Sequence, residues 1–243
     1  MVTDQLKQLW HLAFGDEEAA IDGFFRTAYA PERCLHLTEN GRITAALYWL
    51  DCAYQDQKQA YVYAVATHPD HRGKGLCRQL MDKAHRCLKE RGYHAALLRP
   101  ADNGLRRMYR KMGYQTATCV SEFSCTAGEP LPLRKIGKTE YAALRRQFLP
   151  EDGVLQEGVS IDYLASYAQF FAGADFVLAG LKEGTGFLGI ELLGNRSAAP
   201  GILAALDCQH GSFRCPGGKI PFAMFLPLRE DAKEPGYLGL VFD

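Results

Sequence analysis

The 243-residue chain lacks any run of about 18 apolar residues, so no membrane-spanning helix and no membrane partner are expected. It lacks a basic-then-apolar leader and opens directly on a helical pattern, so no export is expected. Its cysteines (Cys34, Cys52, Cys77, Cys87, Cys119, Cys125, Cys208 and Cys215) never fall as a C-x-x-C pair. That spacing excludes common zinc sites, and a chain this long does not need a disulfide framework. Reduced thiols, a cytoplasmic location and no metal are the expectation. Net charge is also missing, with 28 basic against 28 acidic residues, which argues against general nucleic-acid binding.

What is present is a local charge and glycine pattern. Residues 1–128 carry +3 and residues 129–243 carry −3, and seven Lys/Arg against two acids fall between Arg72 and Arg91. At the head of that cluster a β-branched and aromatic run, Tyr61 to Ala66, stops at Thr67-His68-Pro69. A loop with Gly73 and Gly75 follows, and a helix opens at Leu76. A glycine-bearing turn into a helix N-terminus lets backbone N–H groups and the helix dipole meet an anion. Arg72 and Lys74 add mobile cations, so the stretch is built for a phosphate or pyrophosphate. It is not a Walker loop, and without a third glycine it is not a dinucleotide fingerprint. Gly184 to Gly189 does fit G-x-G-x-x-G literally, but it runs on into a strand and reads as a hairpin turn.

Read in order, residues 3–14 form a helical stripe (Leu6, Leu9, Trp10, Ala13) with Thr3 as its cap, and Asp16 caps a second helix to about Tyr29. Asn40-Gly41 between Cys34–Thr38 and Ile43–Leu50 signals a hairpin. Asp51–Gln59 reads as a polar linker. The helix from Leu76 to Arg91 carries a core stripe and stops at Gly92. A strand (Tyr93–Leu98), a helix (Asn103–Met112) and a strand (Tyr114–Cys125) follow. After a Pro/Gly linker at 127–134, helices are expected at Thr139–Phe148, Ser160–Phe171 and Ala198–Leu206. Strands are expected at Phe176–Leu181, Gly186–Leu193, Phe222–Leu228 and Tyr237–Phe242.

The segment His71-Arg72-Gly73-Lys74-Gly75-Leu76, set between that strand and helix, resembles motif A (Arg/Gln-x-x-Gly-x-Gly/Ala) of the GCN5-related N-acetyltransferases. Arg107 to Tyr114 is similar to that family's LYxKxGF helix end. The resemblance covers about residues 1–127 and implies an α/β (α+β) fold with a mixed central sheet flanked by helices. Residues 128–243 read as a shortened, degenerate second copy without a cofactor motif. Such tandem halves resemble the enhanced-intracellular-survival-like acetyltransferases, whose C-terminal carboxylate enters the active site; the tail ending at Asp243 offers the same group.

The resemblance implies acetyl-CoA as cofactor and coenzyme A as product. Backbone of Val65, Ala66 and Thr67 would hold the thioester and pantetheine, and His71 to Leu76 the pyrophosphate. Tyr109 stands where the family protonates the departing thiolate. The family's asparagine falls on Asp102, leaving Asn103 beside it as a polar contact. For the base, His68 follows the central strand; Tyr63, Glu32, Glu39 and Asp51 are further candidates. No cysteine has a nucleophile's setting, so direct transfer to an amine of a small molecule or protein is expected. A non-catalytic acyl-CoA-binding sensor is the alternative, with the second half as a possible lid or oligomer surface in either case.

Overall fold

A computed structural model describes residues 1–242; Asp243, and with it the C-terminal carboxylate considered above, lies outside the described residues. The chain runs α1 (Val2–Phe14), α2 (Glu18–Thr27), β1 (Cys34–Glu39), β2 (Arg42–Tyr54), β3 (Gln57–Thr67), α3 (Leu76–Glu90), β4 (Ala95–Leu98), α4 (Asn103–Arg110) and β5 (Gln115–Thr116). It continues with β6 (Cys119–Thr126), β7 (Arg134–Ile136), α5 (Lys138–Phe148), α6 (Val159–Leu164), β8 (Gln169–Ala172), β9 (Phe176–Glu183), β10 (Gly186–Gly194), α7 (Ala199–Ala205), β11 (His210–Pro216), β12 (Ile220–Pro221) and β13 (Met224–Pro227).

These elements form two compact units, one of residues 1–115 and 224–234, the other of 116–223 and 235–243. The division therefore departs from the 127/128 boundary read from the linker. The run expected as one strand, Tyr114–Cys125, breaks between β5 and β6, and the two pieces enter different sheets. In return β13 enters the first sheet, giving the order β1-β2-β3-β4-β13-β5. Met224 and Leu228 sit in the first unit's core with Leu98, Tyr109 and Tyr114.

In the first unit, β2 is buried on both faces from Ile43 to Leu50. It reads as a continuous apolar run because α1 packs on one face and α3 on the other. The Asn40-Gly41 turn takes positive φ at both residues, as its sequence demands. Asp51–Gln59 is not a linker: β2 and β3 run on through it and turn at Gln55-Asp56. Its buried glutamines reach a distant stretch of backbone. Gln57 and Gln59 donate to the carbonyls of Asp231 (2.7 Å) and Lys233 (2.9 Å). The expected helix caps also shift. α1 starts at Val2, ahead of Thr3, and Asp16 accepts from Trp10 Nε1 (2.7 Å) while Glu17 precedes α2.

The second unit's sheet runs β12-β6-β11-β10-β9-β8-β7. The expected helix at Ser160–Phe171 ends at Leu164, and Gln169–Ala172 is strand β8, with Phe170 stacked on Tyr141 at 4.1 Å. β11 went unread. Tyr237–Phe242 is buried but forms no strand: Tyr237 makes one bridge to Gly153, and Gln156 bonds both the N–H and the carbonyl of Leu240 (3.2 and 2.6 Å). The Gly184-Thr185 segment is the β9–β10 hairpin turn, as expected.

A buried ion pair ties this unit together. The Glu191 carboxylate on β10 accepts from Arg145 Nε (2.6 Å) and its terminal guanidinium nitrogen (3.0 Å), and from the hydroxyls of Tyr141 (3.1 Å) and Tyr237 (3.0 Å). Arg145 and Glu191 are each 1% exposed. Removing one partner strands the other charge away from water. Glu191→Ala is expected to destabilise the protein by about 3–5 kcal/mol in chemical denaturation, whereas breaking an exposed pair such as Arg146–Glu157 is expected to change stability little.

Candidate functional site

The site begins as a defect in the first sheet. β3 and β4 pair in parallel only from Gln59–Tyr61 to Ala95–Leu97. On its other edge, β3 pairs Tyr63 with Tyr48 and Ala66 with Ala46, so Ala64 and Val65 together face Leu47 in a β-bulge. Ala64 takes φ 47°, a left-handed conformation rare for a residue with a Cβ. The bulge turns the strand away from β4 and leaves Tyr63, Ala64 and Val65 half-exposed in the middle of a central strand. Backbone groups there are open to a ligand.

Beyond Thr67, Pro69–His71 make a short 3₁₀ turn that leads into Gly73 and Gly75, at φ 78° and 77°. Only glycine adopts these angles without strain, and a Cβ on either would face open space. Gly75 is the N-cap of α3, no side chain caps that helix, and no acid lies in its first turn. The N–H groups and positive end of α3 are thus uncompensated by the protein.

A cleft of about 750 Å³ joins these parts. Val65, Ala66, Thr67, His71, Arg72, Gly73, Gly75, Leu76 and Tyr109 of the expected site line it. Lys74 and Asn103, both exposed, stand outside that lining. Asp102 explains the second case: its Oδ1 accepts from the Leu105 N–H (2.7 Å) and caps α4, which puts Asn103 at the helix's first position. His68 is not in the cleft either. Its Nδ1 accepts from the Asp70 N–H (3.3 Å), and its ring lines a separate hollow with Gln5 and Arg42. His71, which does line the cleft, has Nδ1 2.9 Å from Glu39 Oε2. Glu32 and Asp51 lie outside the lining as well.

Tyr109 is 6% exposed and packs edge-on to Tyr114 at 5.8 Å. Among the described residues nothing accepts a hydrogen bond from its hydroxyl. Burial pushes its pKa above the ordinary tyrosine value, and nearby Cys77 adds to the shift, so the phenol keeps its proton. Cys77 also lines the cleft, and burial raises its thiol pKa as well, which is the opposite of an activated nucleophile.

The sequence reading missed several lining residues. Ala13 and Phe14 end α1, while Arg78, Met108, Lys111 and Met112 flank the expected residues on α3 and α4. Their helical spacing from Gly75 and Tyr109 was the available signal for the last four. For Phe14 there was none.

Comparison with known proteins follows this geometry. Residues 2–117 match the family model described as an acetyltransferase (GNAT) domain. No curated protein matches the chain. Among solved structures it resembles a GCN5-related N-acetyltransferase from Kribbella flavida (16% identity, 93% of this chain and 69% of that one, TM-score 0.69). It also resembles Eis1 from Mycobacterium abscessus (13%, 95% and 72%, 0.68). A tandem GNAT protein from the clavulanic acid biosynthesis pathway matches over 94% of this chain and 95% of its own, at 13% identity and TM-score 0.58. The GNAT-like fold therefore extends over both units, as the two mixed sheets imply.

The bulge gives a stability test. Ala64→Gly removes a left-handed alanine and is expected to change stability by less than about 1 kcal/mol, because relief of strain and added chain entropy oppose each other. Ala64→Val, β-branched at positive φ, is expected to lose about 2 kcal/mol or more in chemical denaturation. Equal behaviour of the two variants would contradict the bulge geometry.

Proposed function

We propose that the protein is an acetyl-CoA-dependent N-acetyltransferase. The observation that carries this reading is the parting of β3 from β4 at the Ala64–Val65 bulge, opening on a cleft that leads to the uncapped start of α3. A thioester and its pantetheine amides need extended backbone donors and acceptors, and a pyrophosphate needs N–H groups at a helix end. The cleft offers the two in that order. Open space before Gly73 and Gly75 fits a phosphate held close to the backbone.

Bound acetyl-CoA supplies an acetyl group as a thioester, released to an amine with departure of a thiol. Backbone of Val65, Ala66 and Thr67 would hold the acyl end, and the loop from His71 to Leu76 would hold the pyrophosphate. Lys74 and Asn103 serve at most as outer contacts. Tyr109, which lines the cleft with its proton retained, would supply a proton to the departing thiolate. A free thiol has a pKa near 8.5, so modest help suffices. An alkylamine near pKa 10.4 is largely protonated at pH 7 and must lose a proton before attack. The carboxylate and the imidazole nearest the cleft are engaged, Asp102 in capping α4 and His71 with Glu39. In our reading His68, set outside the lining, takes part only through water.

We read the second unit as a degenerate copy without a cofactor site. Two features support this. β10 and β11 pair in parallel over only four residues, and Ile190 is left over in a bulge, as in β3. The segment after β10 is Asn195-Arg196-Ser197-Ala198, with no glycine pair before α7.

Calorimetric titration with acetyl-CoA tests the cofactor assignment without knowledge of the acceptor. Micromolar binding is expected for the wild type and loss of binding for Gly75→Val. Absence of binding by the wild type would remove the assignment.

With an amine acceptor in hand, Tyr109→Phe is expected to slow turnover about tenfold to a thousandfold while binding persists. Binding without any such effect would favour an acyl-CoA sensor. Because the phenol's pKa is raised, its ionisation removes no activity below about pH 10, the ordinary tyrosine value. An alkaline limb at pH 8–9 that vanishes in Tyr109→Phe would contradict its environment.

A further inference from the structure

Aromatic rings gather where α1 packs on β2 and β3, beside the bulge, and the chemistry above does not use them. Trp10 of α1, Phe24 of α2 and Tyr48 of β2 are buried and form a floor, with ring centroids 4.9 Å from Trp10 to Phe24 and 5.4 Å from Trp10 to Tyr48. Four rings that are not buried stand around it: Phe14, Phe25, Tyr29 and Tyr63. Phe14 (6.0 Å), Phe25 (6.2 Å) and Tyr63 (5.6 Å) each meet Trp10, and Tyr29 meets Phe25 at 4.7 Å. Two of the four lead to the cleft. Phe14, 47% exposed, is part of its lining, and Tyr63 directly precedes the left-handed Ala64. A contiguous apolar patch open to solvent marks a binding surface. Two acids that border it are engaged: Asp16 accepts from Trp10 Nε1, and Asp22 pairs with Lys7. The Lys7 ammonium lies 5.5 Å from the Phe25 ring centroid.

Resting on the acetyl-CoA reading above, we infer that this patch receives the acceptor, and that the acceptor is a primary amine carried on an aromatic body, an arylalkylamine. The patch adjoins the backbone of Val65, where the acyl end would be held, and its half-exposed rings offer faces and edges to a flat apolar group. Lys7 over Phe25 is an ammonium already resting on one of these rings. With Asp16 and Asp22 engaged elsewhere, stripping water from a docked ammonium favours the neutral amine that attack requires. The first proton then passes to water on docking. In the transfer itself nitrogen bonds the acetyl carbon and the C–S bond breaks. The second proton lost by nitrogen balances the one taken up by the thiolate. A polyamine gains nothing from such rings beyond its first ammonium.

The test uses the full chain and acetyl-CoA, with thiol release followed for three probe amines: 2-phenylethylamine, n-butylamine and spermidine. For the wild type, kcat/KM with 2-phenylethylamine is expected to exceed that with n-butylamine about tenfold to a hundredfold, the range for burying one aromatic ring. Spermidine is expected to do no better than n-butylamine. Phe25→Leu and Tyr63→Leu are each expected to narrow the preference severalfold while acetyl-CoA affinity, read by calorimetry, stays as in the wild type. That retained affinity also reports that the variants are folded. Equal rates with all three amines, or a preference for spermidine, overturn the acceptor class. Acetyl-CoA binding with no thiol release from any of the three also overturns it and leaves the cofactor reading standing. No acetyl-CoA binding by the wild type removes the parent reading as well. A preference undiminished in both variants overturns the assignment to these rings. The wild-type comparison decides the acceptor class even if a variant fails to fold.

Discussion

The first unit depends on what happens to hydrogen bonds past Tyr61, where β3 ceases to pair with β4. Buried backbone groups cannot go unpaired without a cost of about 1–3 kcal/mol each, so a sheet normally keeps its central strands together. Here the bulge at Ala64–Val65 turns β3 outward, and the strand becomes half-exposed where it loses its neighbour. The sheet stays intact because β4 is held on its other edge by β13, which pairs with all four of its residues. A gap in the middle of a sheet survives only if both lips are anchored. On one lip that anchor is β2, which pairs with β3 on both sides of the bulge. On the other it is a strand that arrives from the far end of the chain.

That distant strand marks the limit of what the sequence disclosed. Local signals served well. Asn40-Gly41 made its hairpin, Gly92 ended α3, and the glycines of the loop took the left-handed angles that motivated the phosphate reading. Non-local pairing was invisible. Gln57 and Gln59 looked like linker because glutamine in a strand is unfavourable unless its amide is satisfied, and its partners lie some 174 residues away at Asp231 and Lys233. The same blindness hid the break after β5. Ala117-Thr118 carries no proline or glycine, and only the destination of each flanking strand separates them. Of the site, the residues whose backbone conformation matters were legible, because glycine spacing encodes conformation. His68 and Asn103 were judged by proximity in sequence, and a turn or a cap was enough to carry them out of the cleft.

The electrostatics of the cleft follow from which helix ends are satisfied. Asp102 meets one of the orphan N–H groups of α4, that of Leu105, and puts a negative charge at that helix's start. α3 has no such residue, and its first turn adds Arg78 rather than an acid. A helix left in that state is less stable alone than a capped one by about 1 kcal/mol. Such an arrangement is sensible only where an anion completes it. The contrast between two neighbouring helices, one capped by the protein and one left open, is a stronger pointer to a ligand than either glycine alone.

The second unit shows how similar geometry loses that opportunity. β10 also carries an extra residue, Ile190, and also leaves its parallel neighbour β11 early. Yet the next residue is Glu191, whose carboxylate is enclosed by Arg145, Tyr141 and Tyr237 with every oxygen occupied. The tail packs so closely on it that a Cβ at Gly239 would overlap the carboxylate. After the bulge, α7 is only seven residues long and begins behind Asn195, whose side chain accepts from Ser197 N–H. The polar groups that a ligand would use are thus spent on the protein itself. Parting strands are necessary for the site in the first unit. What makes it a site is that the helix beyond them was left unfinished.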